Sequence, residues 1–349
     1  MAQFSISNVA LKGIAVCVPQ HEVSNYECPL LEEKEQKLFV KTTGIEKRRV
    51  ADAGTCASDL CEKAAEKLIT ELNWNKEEIN VLVFVTQTPD YITPATAILL
   101  QHKLGLAKRC LAFDINLGCS GYVYGLSVIS ALLQNIPNAK GLLLVGDISS
   151  ACISPEDKST VPLFSDAGSA TALINSNSAT PMHFNLDSDG KGYEAIIIPE
   201  GAYRNPIKNN SLEMVSVSKG ITRNGTHLIL NGIDIFNFSV KEVPVNIQKL
   251  LSNHSYFQPE YFVLHQANKI INETIADALK IDLSKFPSSL KNYGNTSSAS
   301  IPVTIVTELS EKLSSNKVNL LLSGFGVGLS WGSVLLTTNN LVIPEVIIY

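Results

Sequence analysis

Apolar runs of strand length recur along the chain, at residues 81–85, 111–115, 141–145, 261–264 and 319–322. Runs without polar alternation suit strands covered on both faces. Between them the pattern changes to a helical period. Residues 58–72 carry Leu60, Ala64, Ala65, Leu68 and Ile69 on one stripe, and residues 269–279 have the same character. Strands alternating with helices predict an α/β layer architecture. Each half of the chain has a strand leading into a loop and a helix, and each closes on a glycine-punctuated strand region. The expectation is therefore a duplication, with residues 1–177 as one half and 178–349 as the other. No low-complexity linker separates them. Residues 187–192 and 204–210 read as polar surface loops.

At 349 residues, with 45% hydrophobic and only 17% charged residues, the chain can bury a large interior, and a disordered chain is excluded. A net charge of −5 gives no footprint for nucleic acid, so no nucleic-acid partner is expected. The seven cysteines show neither metal spacing nor a disulfide framework, and the start lacks the pattern of a secretory signal. A reducing, cytoplasmic setting is expected. The uncharged stretch between Asp114 and Lys140 is broken by Asn116, Ser120, Ser127, Ser130, Gln134 and Asn135, which predicts a helix buried in protein and no membrane span.

Four segments carry candidate chemistry. In Asp114-Ile-Asn-Leu-Gly-Cys119-Ser-Gly a strand passes through a glycine turn into an apolar helix, which puts the Cys119 thiol at a helix tip. Unpaired N–H groups there favour thiolate over thiol, so ready ionisation is expected. The other six cysteines read as small buried hydrophobes. In Tyr261-Phe-Val-Leu-His265-Gln-Ala-Asn an apolar strand ends in a histidine, at the crevice where α/β sheets place ligands. On its own such a histidine is more often structural. Asn295, in Gly294-Asn-Thr-Ser-Ser-Ala-Ser, can donate an amide N–H without titrating, although a turn asparagine is the plainer reading. The loop Leu322-Ser-Gly-Phe325-Gly326-Val-Gly suits close backbone approach to a ligand. It lacks the spacing of a phosphate loop.

Together these segments resemble the β-ketoacyl-acyl carrier protein synthase III family of the thiolase superfamily. The resemblance rests on Gly-Cys-Ser-Gly at 118–121, His-Gln-Ala-Asn at 265–268, Gly-Asn-Thr-Ser at 294–297 and Gly-Phe-Gly-Val-Gly-Leu-Ser-Trp-Gly at 324–332. Thr43-Gly-Ile-Glu-Lys-Arg-Arg, Thr88-Pro-Asp-Tyr and Leu163-Phe-Ser-Asp-Ala-Gly-Ser-Ala support it, in family order. The resemblance implies a five-layered αβαβα fold from two similar halves, a homodimer, and a catalytic set of Cys119, His265 and Asn295. It further implies backbone N–H groups of Cys119 and Val327 as the oxyanion hole. The implied reaction is acylation of Cys119 by a primer, then decarboxylative condensation with a malonyl thioester on acyl carrier protein. Coenzyme A or carrier-protein thioesters would be substrates, with no metal and no organic cofactor.

Substrate-binding positions follow from the same resemblance: Thr93, Leu38, Lys158, Lys269, Phe325 and Gly326. Several depart from the family pattern. Leu38 stands where a tryptophan stacks on adenine, Thr42 at a nearby basic position, and Lys158 where an arginine completes the clamp. Ile270 takes the place of a carrier-docking arginine beside Lys269. Thr93 replaces a phenylalanine that reaches into the partner's acyl pocket, which predicts room for more than acetyl. Val327 replaces a glycine. Three alternatives remain open to the sequence. One is acyl transfer to an oxygen or nitrogen acceptor in a glycan or secondary-metabolite pathway. Another is a non-catalytic partner subunit. The third is a papain-like protease, suggested only by the order Cys, His, Asn.

Overall fold

The computed structural model describes residues 2–349. Its apolar runs become strands of two sheets, those within Ile79–Val85, Lys140–Asp147 and Lys317–Gly326 internal and Leu111–Ile115 and Tyr261–Leu264 at an edge. The six-stranded sheet has the order Ile347–Ile348, Val9–Val18, Ala167–Asn175, Lys140–Asp147, Ile79–Val85, Leu111–Ile115. The five-stranded sheet has the order Ala2–Ile6, Met182–Ser188, Ser330–Asn339, Lys317–Gly326, Tyr261–Leu264. The two share an arrangement. In each, two antiparallel pairings are followed by a parallel one, Lys140–Asp147 on Ile79–Val85 in the first and Lys317–Gly326 on Tyr261–Leu264 in the second. The chain crosses from one sheet to the other between Asn175 and Met182, and its ends cross back. Ala2–Ile6 pairs with Met182–Ser188 in the second sheet, and Ile347–Ile348 pairs with Val9–Val18 in the first.

Helices Gly121–Leu133 and Ser300–Ser315 lie between the sheets and touch both. They bury residues all round, as Tyr122, Val123, Leu126, Ile129 and Leu133 do on the first and Ile301, Val303, Ile305 and Leu309 on the second. A helix with no polar face has to be enclosed, which explains the uncharged sequence of the first. Ala57–Glu71 and Thr96–Lys103 cover the outside of the six-stranded sheet; Gly232–Asn253 and Lys269–Leu279 cover the other. The result is the thiolase-like five-layered αβαβα architecture. Among the described residues no helix is long and apolar enough to cross a membrane. The five-layered fold leaves the papain-like reading without a scaffold.

Candidate active site

The candidate residues sit where strands end, on the side where the parallel strands of both sheets finish. Cys119 follows Leu111–Ile115 and precedes the helix that starts at Gly121, whose N–H bonds Gly118 O at 2.7 Å. His265 is the first residue beyond Tyr261–Leu264, and its backbone N–H donates to Ser323 O at 2.8 Å. Asn295 is clipped to the first half by two backbone bonds, its N–H to Leu163 O at 3.1 Å and its carbonyl from Ser165 N–H at 2.9 Å. Val327 follows Lys317–Gly326, and this strand end presses on the cysteine. A Cβ on Gly326, where φ is 153°, would stand 2.7 Å from Cys119 Cβ and 2.9 Å from its Sγ. Only glycine fits there.

Cys119, His265 and Asn295 are all buried, and they converge on Ser297. Asn295 Oδ1 accepts the Ser297 N–H at 2.9 Å, which fixes the amide's orientation, while Nδ2 donates to Ala267 O at a long 3.4 Å. The Ser297 backbone lies close enough to the His265 ring to favour its charged form, and the Ser297 side chain close enough to Cys119 to favour the thiolate. Ser297 is held at φ 49°, a left-handed conformation uncommon outside glycine. Next to it, Ser298 donates its N–H (3.2 Å) and its O–H (2.5 Å) to Asp147 Oδ2. Asp147 Oδ1 accepts from Gln87 N–H at 2.7 Å and Thr86 Oγ1 at 3.2 Å. This buried carboxylate ties the 297–298 turn to the end of Lys140–Asp147. Burial raises its pKa, opposed by the Ser298 hydroxyl, the Gln87 N–H, the Ser297 side chain and the Ser298 N–H.

His265 Nδ1 lies 2.7 Å from Ser300 Oγ, and that oxygen also accepts the Gln266 N–H at 3.3 Å. In the tautomer where the hydroxyl donates to Nδ1, that nitrogen is the ring's acceptor. Nε2 then carries the ring's own proton as a donor. Burial pushes the imidazole down to about 3, so it is neutral at physiological pH. The Phe325 ring stands edge-on to it, with centroids 5.5 Å apart.

The thiol departs from the sequence expectation of ready ionisation. Burial pushes Cys119 up to about 11, outweighing the pull of the Val327 backbone, the Ser297 hydroxyl and its own N–H, and Asp147 adds to the rise. The helix tip is as expected; the desolvation around it was not visible in the sequence. Only thiolate is alkylated, so the rate at Cys119 in the unliganded protein is expected to climb about tenfold per pH unit from 7 to 10. Iodoacetamide labelling read on the Cys119 peptide checks this. A plateau reached by pH 8 would contradict it.

Cys119, Ser297 and Val327 open onto a cavity of about 690 Å³. Its lining includes Asp147, Cys152, Phe164, Ile196, Ile197, Ile198, Glu200, Ile207, Leu212 and Leu228, and one carboxylate oxygen of Glu200 is buried without a partner. Two sequence expectations change here. Ile207, inside the stretch read as a polar loop, forms part of the wall. Cys152 is half-buried in the same wall, and Cys56 is also half-buried, so neither is an enclosed core residue.

The remaining candidate positions lie apart from this centre. Leu38 is exposed on helix Glu33–Thr43, and Lys158 reaches the same helix through a 2.8 Å ion pair with Glu35. Lys269 packs over Gly44 and lines a separate cleft of about 600 Å³ with Lys37, Lys41 and Lys291 above an apolar floor of Val40, Phe262 and Leu290. Thr93 is exposed, beside exposed Tyr91 and Ile92, and does not line the cavity. Ser297, Asp147 and Gln87 went unnoticed in the sequence. The run of small residues after Asn295 was the signal for Ser297; nothing local marks the other two. Among the described residues no cluster of three His, Cys, Asp or Glu side chains is placed to hold a metal.

A buried cysteine at a helix tip, sharing its Ser297 neighbour with a neutral histidine and an asparagine in a five-layered αβαβα frame, points to a thiolase-fold condensing enzyme. Comparison with known proteins gives the family. Residues 113–190 match the model of 3-oxoacyl-[acyl-carrier-protein] synthase III, and residues 257–338 match its C-terminal model. The β-ketoacyl-[acyl-carrier-protein] synthase III of Clostridium tetani is 34% identical over 91% of this chain and 95% of its own length. The 3-oxoacyl-(acyl-carrier protein) synthase of Burkholderia xenovorans LB400 superposes with a TM-score of 0.93 at 38% identity, covering 100% of this chain and 99% of its own. The synthase III of Pseudomonas aeruginosa PAO1 gives 0.81 at 26% identity, over 96% and 99%. The chain belongs to the β-ketoacyl-acyl carrier protein synthase III family, and it is an acyltransferase of that type.

Proposed function

We propose that the protein condenses an acyl primer with malonyl-acyl carrier protein, with Cys119, His265 and Asn295 as its catalytic residues. The convergence of the three side chains on Ser297 is the observation that carries this reading. Cys119 Sγ attacks the thioester carbonyl of the primer, and the tetrahedral oxyanion is held by the N–H groups of Cys119 and Val327. The carbon–sulfur bond of the donor breaks. The Cys119 proton leaves with the departing sulfur as free thiol, so a thiol that is protonated at rest fits a reaction that exchanges one thioester for another.

Malonyl thioester then loses carbon dioxide, and its electron pair moves onto the thioester as an enolate. Nε2–H of His265 and Nδ2–H of Asn295 donate to the enolate oxygen. The enolate carbon attacks the acyl carbonyl, a carbon–carbon bond forms, and Cys119 is released to take up a proton. A histidine with its pKa near 3 suits this role, because it stays a donor and does not titrate as charge builds up beside it. Coenzyme A and carrier-protein thioesters are the substrates, and the chemistry needs no metal or organic cofactor.

The cleft at Lys269, where Lys37, Lys41, Lys269 and Lys291 outnumber Glu46 and Glu273, suits an acidic carrier protein. Leu38 on helix Glu33–Thr43, with Lys158 paired to the same helix, would hold a donor's adenine more weakly than an aromatic ring. The unpaired outer edge of Leu111–Ile115, where Leu111 is 49% exposed, suits pairing with a second copy to form a homodimer. We place the protein in the cytoplasm. The test is release of labelled carbon dioxide from malonyl-acyl carrier protein together with a 3-oxoacyl product. Acyl transfer to an alcohol or amine without carbon dioxide would overturn it.

A further inference from the structure

The cavity that holds Cys119 carries charge of one sign. Asp147 and Glu200 are in its wall, and among the described residues no lysine, arginine or histidine is. Asp147 is buried, and its oxygens are satisfied by neutral donors alone, the Gln87 and Ser298 N–H groups and the Thr86 and Ser298 hydroxyls. Each oxygen accepts one backbone N–H, a group that can only donate and so favours the carboxylate over the acid. The charge is held in place without being cancelled. It also reaches the nucleophile, since Asp147 is one of the groups that disfavour the Cys119 thiolate. Glu200 is half-buried, and its Oε2 is enclosed with no partner. Most of the remaining wall is apolar, including Phe164, Ile196, Ile197 and Leu228.

Resting on the acyl-enzyme reading, we propose that these two carboxylates select the primer by charge: neutral acyl groups enter the cavity, acyl groups that end in a carboxylate are kept off Cys119, and Asp147 is the main specificity-determining residue. A malonyl thioester offered to the free enzyme would have to bury its carboxylate against like charge with no cation to pair with. The order of the reaction then has a physical cause. The extender cannot load itself as the primer. Once a neutral acyl group is bonded to Cys119 and fills the cavity, the malonyl carboxylate leaves as carbon dioxide and is not buried there. The bonds of the acylation step are unchanged: the donor's carbon–sulfur bond breaks, and its sulfur leaves with the thiol proton.

The experiment presents the full chain with three coenzyme A thioesters, butyryl, succinyl and the methyl ester of succinyl, and reads the rate at which each adds its acyl mass to the Cys119 peptide. The ester keeps the polar atoms of succinyl and lacks its charge. It is expected to load about a hundredfold faster than succinyl, at about tenfold for each unpaired like charge. Asp147→Asn is expected to lower that ratio about tenfold. Asparagine leaves one of the two N–H donors without an acceptor, so the ratio within the variant is the readout, and any general loss cancels. Glu200→Gln repeats the test away from the 297–298 turn, at an oxygen with no partner to lose, and is expected to lower the ratio as well. Succinyl loading as fast as its ester, an ester as slow as succinyl while butyryl loads, or a ratio unmoved in both variants would overturn the inference and leave the acyl-enzyme standing. No adduct from butyryl-coenzyme A would overturn both.

Discussion

Cys119→Ala is expected to abolish 3-oxoacyl product, with turnover down on the order of 10⁴-fold or more, as when a nucleophile that acts as part of a unit is removed. The substitution keeps Cβ and so respects the tight contact with Gly326. Ser297 and Asn295 keep their mutual bond, and His265 keeps Ser300. The variant is therefore expected to fold, to gain no acyl mass, and still to release carbon dioxide slowly from malonyl thioester, because the two enolate donors are intact. Acyl mass on another cysteine of the variant, Cys152 being the one in the same wall, would contradict the assignment.

Asn295→Asp and His265→Ala are expected to do the reverse. The aspartate retains an oxygen for Ser297 N–H and replaces the Nδ2 donor with negative charge where the enolate forms. His265→Ala removes the other donor. Each is expected to lower the condensation kcat by about 10²–10³, the usual cost of one preorganised oxyanion donor. The acyl adduct on Cys119 still forms, so the modified protein accumulates. The measurement is single-turnover kinetics with the acylation and decarboxylation steps read separately. An equal loss in both steps would show that these residues activate the thiol and do not serve the enolate.

The difference between what could be read in the chain and what needed coordinates has a physical pattern. Strands 111–115 and 261–264 were legible to the residue, because each is a short run of mostly apolar residues bounded by polar ones, although Leu111–Ile115 is only half-buried. Ala167–Asn175, written Ala-Gly-Ser-Ala-Thr-Ala-Leu-Ile-Asn, was not recognised as a strand. Its small residues are there because Gly168 lies against the backbone of Leu60 and Cys61 in the covering helix. The crossing of the chain termini between sheets was also hidden, since the pairing of Ala2–Ile6 with Met182–Ser188 is a long-range choice with no local mark.

In the site, the strand-end positions of Cys119 and His265 and the motif around Asn295 were legible. Ser297 was not, because its left-handed backbone angle leaves no mark beyond a run of small residues. The resting state of the thiol was misread for a related reason. A helix tip can be read from a glycine turn followed by an apolar run. Part of the burial that opposes it comes from Gly326, packed on Cys119 from more than two hundred residues further on.

The most direct measurement is the mass of the Cys119 peptide before and after a chase. Incubation with an acyl thioester is expected to add one acyl group at Cys119, and malonyl-acyl carrier protein is expected to remove it with one equivalent of carbon dioxide and one of 3-oxoacyl product. An unmodified Cys119 peptide, or an adduct that malonyl-acyl carrier protein leaves in place, would contradict the account.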